Sequence, residues 1–326
     1  MVEISINHEL KFSVELDNST ILEHAFKNDI IINHSCLNGR CSECKVKVIS
    51  GGFEMSSTQE GLADQEINEG YCLSCVTRPI SNLELDEVVF HEGILPKIKT
   101  IPVKISKIDF LSKNVAKVTL RTPPNNSLKF IAGQYINLSI RNIKRSFSIS
   151  SIPSDSNIEL IIKNYPNGQF SNYLFNEAKV DDLLRLEGPI GTYILPAKIP
   201  KKLLFVSTGT GIAPNLSLIK SIIQEDIIQG RQIILIHGQR TADEHVYSLN
   251  SLLNEIKVIL TTSRESVEGY KKGYVQDAVK ELKLDMDETM IFACGNPKMI
   301  KDLKFQMISM GLADKNFKSD AFVPSN

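Results

Sequence analysis

Six cysteines carry the densest chemistry in this 326-residue chain, and three of them, Cys36, Cys41 and Cys44, are separated by four and then two residues. Three thiolates so close in sequence can reach one inorganic core, and a later cysteine, Cys72 or Cys75, can close it from across the domain. That is a ligand spacing for a [2Fe–2S] cluster, which passes one electron at a time. A rival reading pairs Cys41-x-x-Cys44 with Cys72-x-x-Cys75 as the two halves of a zinc ribbon. Zinc leaves Cys36 without a task and offers no redox step, so iron–sulfur accounts for more of the residues. A Rieske centre would need histidines in place of two thiolates. The only nearby one, His34, reads as an ordinary surface residue or one packed outside the ligands. Gly39 lies inside the loop, where the backbone is expected to need positive φ.

Two further groups could handle nucleotides. In Arg145-Ser146-Phe147-Ser148, shortly after Gly133-Gln134-Tyr135, an arginine fork can pair with a pyrophosphate. Phe147 can pack against a flavin, and the Ser148 hydroxyl can hydrogen-bond its reactive nitrogen. Gly168-Gln169-Phe170-Ser171-Asn172 reads as a turn into a short helix whose first amides suit phosphate. Ser207-Thr208-Gly209-Thr210-Gly211-Ile212-Ala213-Pro214 follows an apolar strand and opens a helix. Its glycines admit a phosphate, although the proline departs from the GxGxxG fingerprint. Cys294-Gly295-Asn296-Pro297 ends a later strand. Cys294 reads either as a residue beside the bound dinucleotide or as a small buried filler.

These segments carry a resemblance that spans essentially the whole chain. Residues 1–95 resemble the plant-type ferredoxin domain fused to bacterial flavin reductases. The arginine–serine and glycine–cysteine segments resemble the FAD-binding barrel and nicotinamide domain of the ferredoxin–NADP reductase superfamily. The tail Ser319-Asp320-Ala321-Phe322-Val323-Pro324-Ser325, with Ala132-Gly133-Gln134-Tyr135 and Gly188-Pro189-Ile190-Gly191, resembles the CDP-6-deoxy-Δ3,4-glucoseen reductase branch of it.

The resemblance implies a multidomain α+β and α/β fold: a ferredoxin β-grasp domain, an antiparallel FAD-binding β-barrel and a parallel α/β nicotinamide-binding domain. It chooses Cys75 over Cys72 as the fourth ligand beside Cys36, Cys41 and Cys44. Ser42 stands where the family commonly has glycine, at a small cost in loop strain. FAD would be held by Arg145, Ser146, Phe147, Ser148, Gly168, Phe170 and Ser171. Gly209, Thr210, Gly211, Cys294 and Gly295 would place the nicotinamide, with Ser148 and Cys294 beside the reacting atoms. Phe322 would cover the flavin and yield to the nicotinamide. Arg240, Ser263 and Arg264 would flank the adenosine. NADH is the expected donor and NADPH the alternative, because serine–arginine also occurs in NADH-using relatives.

The implied activity is that of an NADH-dependent oxidoreductase in which FAD divides a hydride into single electrons for the cluster. The implied acceptor is a pyridoxamine-phosphate-dependent sugar dehydrase that completes C3 deoxygenation of a CDP-4-keto-6-deoxyglucose-derived intermediate. That step leads to 3,6-dideoxyhexoses of surface polysaccharide such as lipopolysaccharide O-antigen. The alternative acceptor is a ring-hydroxylating or alkane oxygenase component. A zinc-stabilised interaction protein with degenerate nucleotide sites is the reading from another class.

Positioning these residues requires several elements. Val2–Leu16 alternates as a hairpin broken around Asn7–Glu9. Thr20 and Glu23 form a capping box for a helix with Leu22, Ala25 and Phe26 on its apolar face. Lys45–Ile49 reads as a strand before a Gly51-Gly52 turn, and His91–Thr100 as a linker. Val115–Leu120, Tyr135–Ile140, Phe147–Ser150 and Ile158–Lys163 alternate with turns, as in a small antiparallel barrel. Leu203–Ser207, Ile233–His237, Val258–Thr262 and Met290–Cys294 are separated by helix-length segments, as in a parallel α/β layer. The expected domains are therefore 1–95, 101–197 and 198–326.

At 42% apolar and 23% charged residues the composition is that of an ordinary globular protein. Residues 1–95 hold 16 acidic against 6 basic side chains, and residues 96–326 hold 22 against 31. An acidic electron carrier facing basic surfaces fits such a split. No basic stripe with interleaved aromatics points to nucleic acid. The apolar runs are too short to span a bilayer, and the first residues lack a signal-peptide layout, so a cytoplasmic location is expected.

Overall fold

The computed structural model describes residues 1–91, 95–247, 249, 252 and 254–322. They fall into two compact units, Met1–Leu95 and Pro96–Asn326.

In the first unit the expected hairpin forms from strands Val2–Ile6 and Leu10–Val14, turning through Asn7 and His8 in the left-handed region. Val2–Ile6 also pairs in parallel with Leu83–Asp86, and Lys45–Ser50 and Tyr71–Leu73 complete a five-stranded mixed sheet. The capping box is present: the Glu23 amide donates to Thr20 Oγ1 at 3.2 Å, and the Thr20 amide donates to Glu23 Oε2 at 2.8 Å. It starts the helix Ile21–Lys27, which buries Ile21, Leu22 and Ala25 among Ile4, Ile6, Val46 and Leu85. Each buried Ile or Leu here contributes about 1.5–3 kcal/mol, which anchors the helix on the sheet.

The linker expectation needs correction. His91 belongs to a short strand, Phe90–His91, paired with Ile31–Ile32. Lys99 and Thr100 open a 14-residue strand, Lys99–Ser112, pairing with Gly188 and Glu187. The two residues are polar because both are exposed, which masked the strand in the sequence.

The second unit contains two six-stranded sheets. One is wholly antiparallel, from Ile143–Ser148 at one edge through Tyr135–Ile140, Leu183–Ile190, Lys99–Ser112 and Val115–Arg121 to Ile158–Lys163. The strand expected at Phe147–Ser150 begins earlier and ends at Ser148, because Ile149 leaves to bridge Leu160. The other sheet is wholly parallel: Lys271–Lys272, Lys257–Thr262, Gln232–Gln239, Lys202–Thr208, Thr289–Gly295 and Phe317–Ala321.

Its central strands are apolar throughout because both faces are covered. Leu203, Phe205 and Leu235 pack under the helix Ile212–Gln224, and Leu204, Val206 and Ile234 pack under Val275–Lys280 and Pro297–Ser309. Barrel residues Val115, Ala132 and Tyr193 share the first of these cores. Tyr193 Oη donates to Asn215 Oδ1 at 2.7 Å, and Ser217 Oγ donates to the Ser151 carbonyl at 2.6 Å. The barrel is thereby bonded to the helix that covers the parallel sheet. No helix among the described residues is long and apolar enough to cross a membrane.

Candidate functional site

The cysteine loop is built from backbone bent out of the ordinary regions. Leu37, Gly39 and Ser42 all have positive φ, at 57°, 78° and 63°. A side chain at Gly39 would meet the Thr58 carbonyl, so the expected need for glycine is met there. Ser42 offsets its strain by donating its hydroxyl to the Gly61 carbonyl. The loop turns its amides toward sulfur: Cys36 N to Cys41 Sγ and Arg40 N to Cys36 Sγ, each 3.4 Å.

The thiols come in two pairs. Hydrogen bonding from Cys41 holds Cys36 down at about 6, and the same contact raises Cys41. Cys44 lowers Cys75 and is itself raised. Cys72 joins neither pair; burial pushes it up to about 11, and its hydrogen-bond partner is Thr77. Among the described residues no three His, Cys, Asp or Glu side chains converge on one ion. Two pairs of thiols suit a core of two irons and do not suit one tetrahedral zinc, whose ribbon reading would need Cys72. Cys36 and Cys41 are half-exposed whereas Cys44 and Cys75 are buried, so one side of such a core would meet the surface. His34, read as a surface or outer residue, is buried edge-on against Phe26 with its ring on the Ile32 carbonyl.

In the second unit, strand Ile143–Ser148 pairs with Tyr135–Ile140, which puts Arg145 and Phe147 on the face of Leu138 and Ile136. Phe147 packs on Phe170 with ring centroids 4.8 Å apart. Arg145 is half-buried and donates to the Lys144 carbonyl at 2.7 Å, and Ser146 Oγ donates to Asn137 Oδ1 on the opposite face. Gly168 caps the helix Gln169–Asn176. Ser171 spends its hydroxyl on the carbonyls of Tyr165 and Gly168, both 3.0 Å away, leaving the first backbone amides of that helix to face an anion.

The glycine and cysteine turns interlock. A Cβ on Gly211 would lie 2.5 Å from the Cys294 carbonyl oxygen. Gly295, at φ +125°, would bring its Cβ to 2.6 Å from Thr208 Oγ1. That hydroxyl accepts from Asn296 N at 3.2 Å, and Asn296 Oδ1 in turn caps the helix Pro297–Ser309. Gly209, by contrast, faces open space. The turn therefore offers backbone to a ligand above it while its underside is filled by its neighbour.

Three side chains from three elements converge on this place. Cys294 sits opposite Ser207 on one side and Asp320 on the other. Asp320 Oδ2 accepts from Ser148 Oγ at 3.2 Å and from Cys294 Sγ at 4.0 Å. All three residues are buried, and burial followed by the Asp320 charge raises the Cys294 thiol well above its usual range. Phe322 N donates to the Gly295 carbonyl at 2.9 Å, which ties the half-buried aromatic to the same turn. Val323, Pro324 and Ser325 of the tail lie outside the described residues. Asp320 is a site residue that its position in the tail motif does not reveal; its signal is the strand register that sets it beside Cys294. Arg240, Ser263 and Arg264 stand together at the far end of the sheet, where Arg264 N donates to the Arg240 carbonyl at 2.9 Å.

Known proteins match each part. The 2Fe-2S iron-sulfur cluster binding domain model matches residues 4–79, the oxidoreductase FAD-binding domain model 102–194, and the oxidoreductase NAD-binding domain model 205–304. The chain is 36% identical over 317 residues to CDP-6-deoxy-L-threo-D-glycero-4-hexulose-3-dehydrase reductase of Yersinia pestis, covering 94% of each. It is 33% identical over 322 residues to Protein RfbI of Salmonella typhimurium, covering 97% of this chain and 95% of that one. The crystal structure of Amycolatopsis cytochrome P450 reductase GcoB superposes with a TM-score of 0.79 over 99% of both chains, at 21% identity, a likeness of fold. The chain is an NAD(P)H-dependent oxidoreductase of FAD and [2Fe–2S], and it belongs to the ferredoxin-fused branch of the ferredoxin–NADP reductase superfamily that contains the hexulose-3-dehydrase reductases.

Proposed function

We propose that this chain is the electron donor to a pyridoxamine-phosphate-dependent sugar dehydrase in 3,6-dideoxyhexose synthesis. The observation that carries this reading is similarity at 36% identity, along nearly the whole of both chains, to a reductase named for such a dehydrase. When bound, FAD supplies the conversion of a two-electron donation into single electrons for the iron–sulfur core. The chain's own residues do the placing.

Cys36, Cys41, Cys44 and Cys75 hold the core. The division 1–95, 101–197 and 198–326 gives each cofactor its own module. Arg145 and the amides above Gly168, with Phe170 and Ser171 shaping the wall, receive the FAD pyrophosphate, while Phe147 and Ser148 meet the flavin; Ser146, expected among them, faces the other side of the strand and would act only by bracing it through Asn137. Gly209, Thr210, Gly211 and Gly295 seat the nicotinamide. Arg240, Ser263 and Arg264 flank its adenosine, and Phe322 covers the flavin until the nicotinamide arrives.

Asp320 joins this list. Its carboxylate accepts hydrogen bonds from both Ser148 and Cys294, so it fixes the Ser148 hydroxyl in one orientation and keeps the Cys294 sulfur protonated. With its one proton given to Asp320, the hydroxyl has only lone pairs free, so it would accept a hydrogen bond from the flavin nitrogen when that nitrogen carries hydrogen.

The test is anaerobic reoxidation of the NADH-reduced holoprotein, followed by stopped-flow absorbance. The oxidants are a dehydrase loaded with its sugar nucleotide and, separately, an oxygenase component. Rapid reoxidation by the dehydrase complex with deoxygenated sugar as product is expected. Rapid reoxidation by the oxygenase component alone would overturn the reading.

A further inference from the structure

We infer that Glu265, assisted by Glu244, makes the adenosine end of this site select against a 2′-phosphate. The inference rests on the reading of Arg240, Ser263 and Arg264 as the adenosine end.

Strands Gln232–Gln239 and Lys257–Thr262 run parallel, and their pairing continues past both ends. Ser263 N donates to the Gln239 carbonyl at 3.1 Å and Arg264 N to the Arg240 carbonyl at 2.9 Å. Two exposed arginines therefore leave the carboxyl edge of the sheet side by side, where open α/β sheets take their ligands. Alone, they would invite a phosphate.

Two carboxylates stand in the adjacent turns that follow these strands, Glu244 after the first and Glu265 after the second. Glu265 Oε1 accepts from Ala242 N, and its backbone is pinned by Thr262 Oγ1, which donates to the Glu265 carbonyl at 3.0 Å. Glu244 Oε2 accepts from Arg240 N at 3.2 Å. Each amide bond anchors one oxygen, so neither carboxylate can swing into solvent without leaving a backbone amide unpaired. Among the described residues neither carboxylate forms an ion pair with Arg240 or Arg264.

A ribose 2′-hydroxyl can donate to the remaining carboxylate oxygen, as acidic residues do in NAD-selective sites. A 2′-phosphate has no proton to donate and meets two negative charges held in place. The two turns thus support NADH and reject NADPH, and the arginines serve the pyrophosphate and adenine side.

The test uses the FAD-loaded full chain and two fragments, 5′-AMP and 2′,5′-ADP, titrated by calorimetry. Steady-state kcat/KM for NADH and NADPH is measured alongside. Glutamine keeps the oxygen that accepts from each amide, so Glu265→Gln and Glu244→Gln change charge with little change in shape. Glu265→Gln is expected to tighten 2′,5′-ADP by about tenfold while 5′-AMP moves by less than about twofold, with the NADPH to NADH ratio rising in parallel. The double variant should move further. If Glu265→Gln does not fold, Glu244→Gln carries the same expectation at smaller size.

An unchanged ratio of 2′,5′-ADP to 5′-AMP affinity in the folded variants overturns the inference. So does wild-type protein that binds 2′,5′-ADP as tightly as 5′-AMP. Arg264→Ala separates the two levels. If it alters neither fragment, the adenosine-end reading itself fails; if it weakens binding while the glutamine variants change nothing, only the role of the carboxylates is lost.

Discussion

The cysteines of the first unit and Cys294 of the second share a side chain and little else. The former hang on a loop with three residues in the left-handed region, stitched to Gly61 and surrounded by amides that point at sulfur. Cys294 stands on a regular central strand, fully buried between two neighbours. In the loop each pair of thiols lowers one member, Cys36 or Cys75, and raises the other, Cys41 or Cys44; on the strand, burial raises the thiol with no lowered partner beside it. The first arrangement makes thiolates ready for a metal, and the second makes an inert thiol that serves by position.

Removing a member of each set should have different consequences. Cys44→Ser should abolish the iron content of the first unit and cut cytochrome c reduction by about 10²-fold or more, because a cluster cannot close on three thiolates. Ferricyanide reduction, which needs only the second unit, should survive. Equal loss of both activities would erase the division of labour drawn here.

Asp320→Asn is the counterpart on the strand side. It keeps the shape but removes the charge shared by Ser148 and Cys294, so flavin bleaching by NADH in stopped flow should slow by about 10²-fold. The iron content should not move. A variant with wild-type bleaching rates would reduce Asp320 to a packing residue.

A milder probe compares the thiols by pH in iron-depleted protein. Cys36, held at about 6, is already largely thiolate above that pH, so its alkylation rate should be flat from pH 7 to 8 and fall below pH 6. Cys72 and Cys294 are both fully buried with raised thiols, so both should stay unlabelled across the same range until the fold opens. Mass spectrometry of the labelled peptides reads all three.

Much of this was legible because it is local. The C-x4-C-x2-C loop, the capping box at Thr20 and the glycine turn at 209–211 each declare themselves within a few residues. The flavin strand was legible in kind but misplaced at its ends, since Lys144 and Ser146 look like loop residues until their partners on Tyr135–Ile140 are known. The strand Lys99–Ser112 was hidden by its exposed polar start. Asp320 was invisible as a site residue for a different reason. It meets Ser148 across 172 positions of sequence and Cys294 across a parallel register, and no spacing rule encodes either.

The smallest expected effect concerns Ser42, whose expected loop strain appears as a left-handed backbone. Ser42→Gly relieves a left-handed serine and removes its bond to the Gly61 carbonyl, so stability should change by less than about 1 kcal/mol in chemical denaturation. A larger loss would mean that this hydroxyl, more than the backbone, keeps the cysteine loop in shape.

The packing of Gly211 against Cys294 and of Gly295 against Thr208 has an evolutionary corollary. At Gly211 and Gly295 the reacting end of the second unit is a fixed jig with no volume into which mutation could add a new side chain. Descendants of such a chain can be retuned only at the margins, in the turns that choose the fuel and in the surface that meets the customer, while the step between them is inherited unaltered.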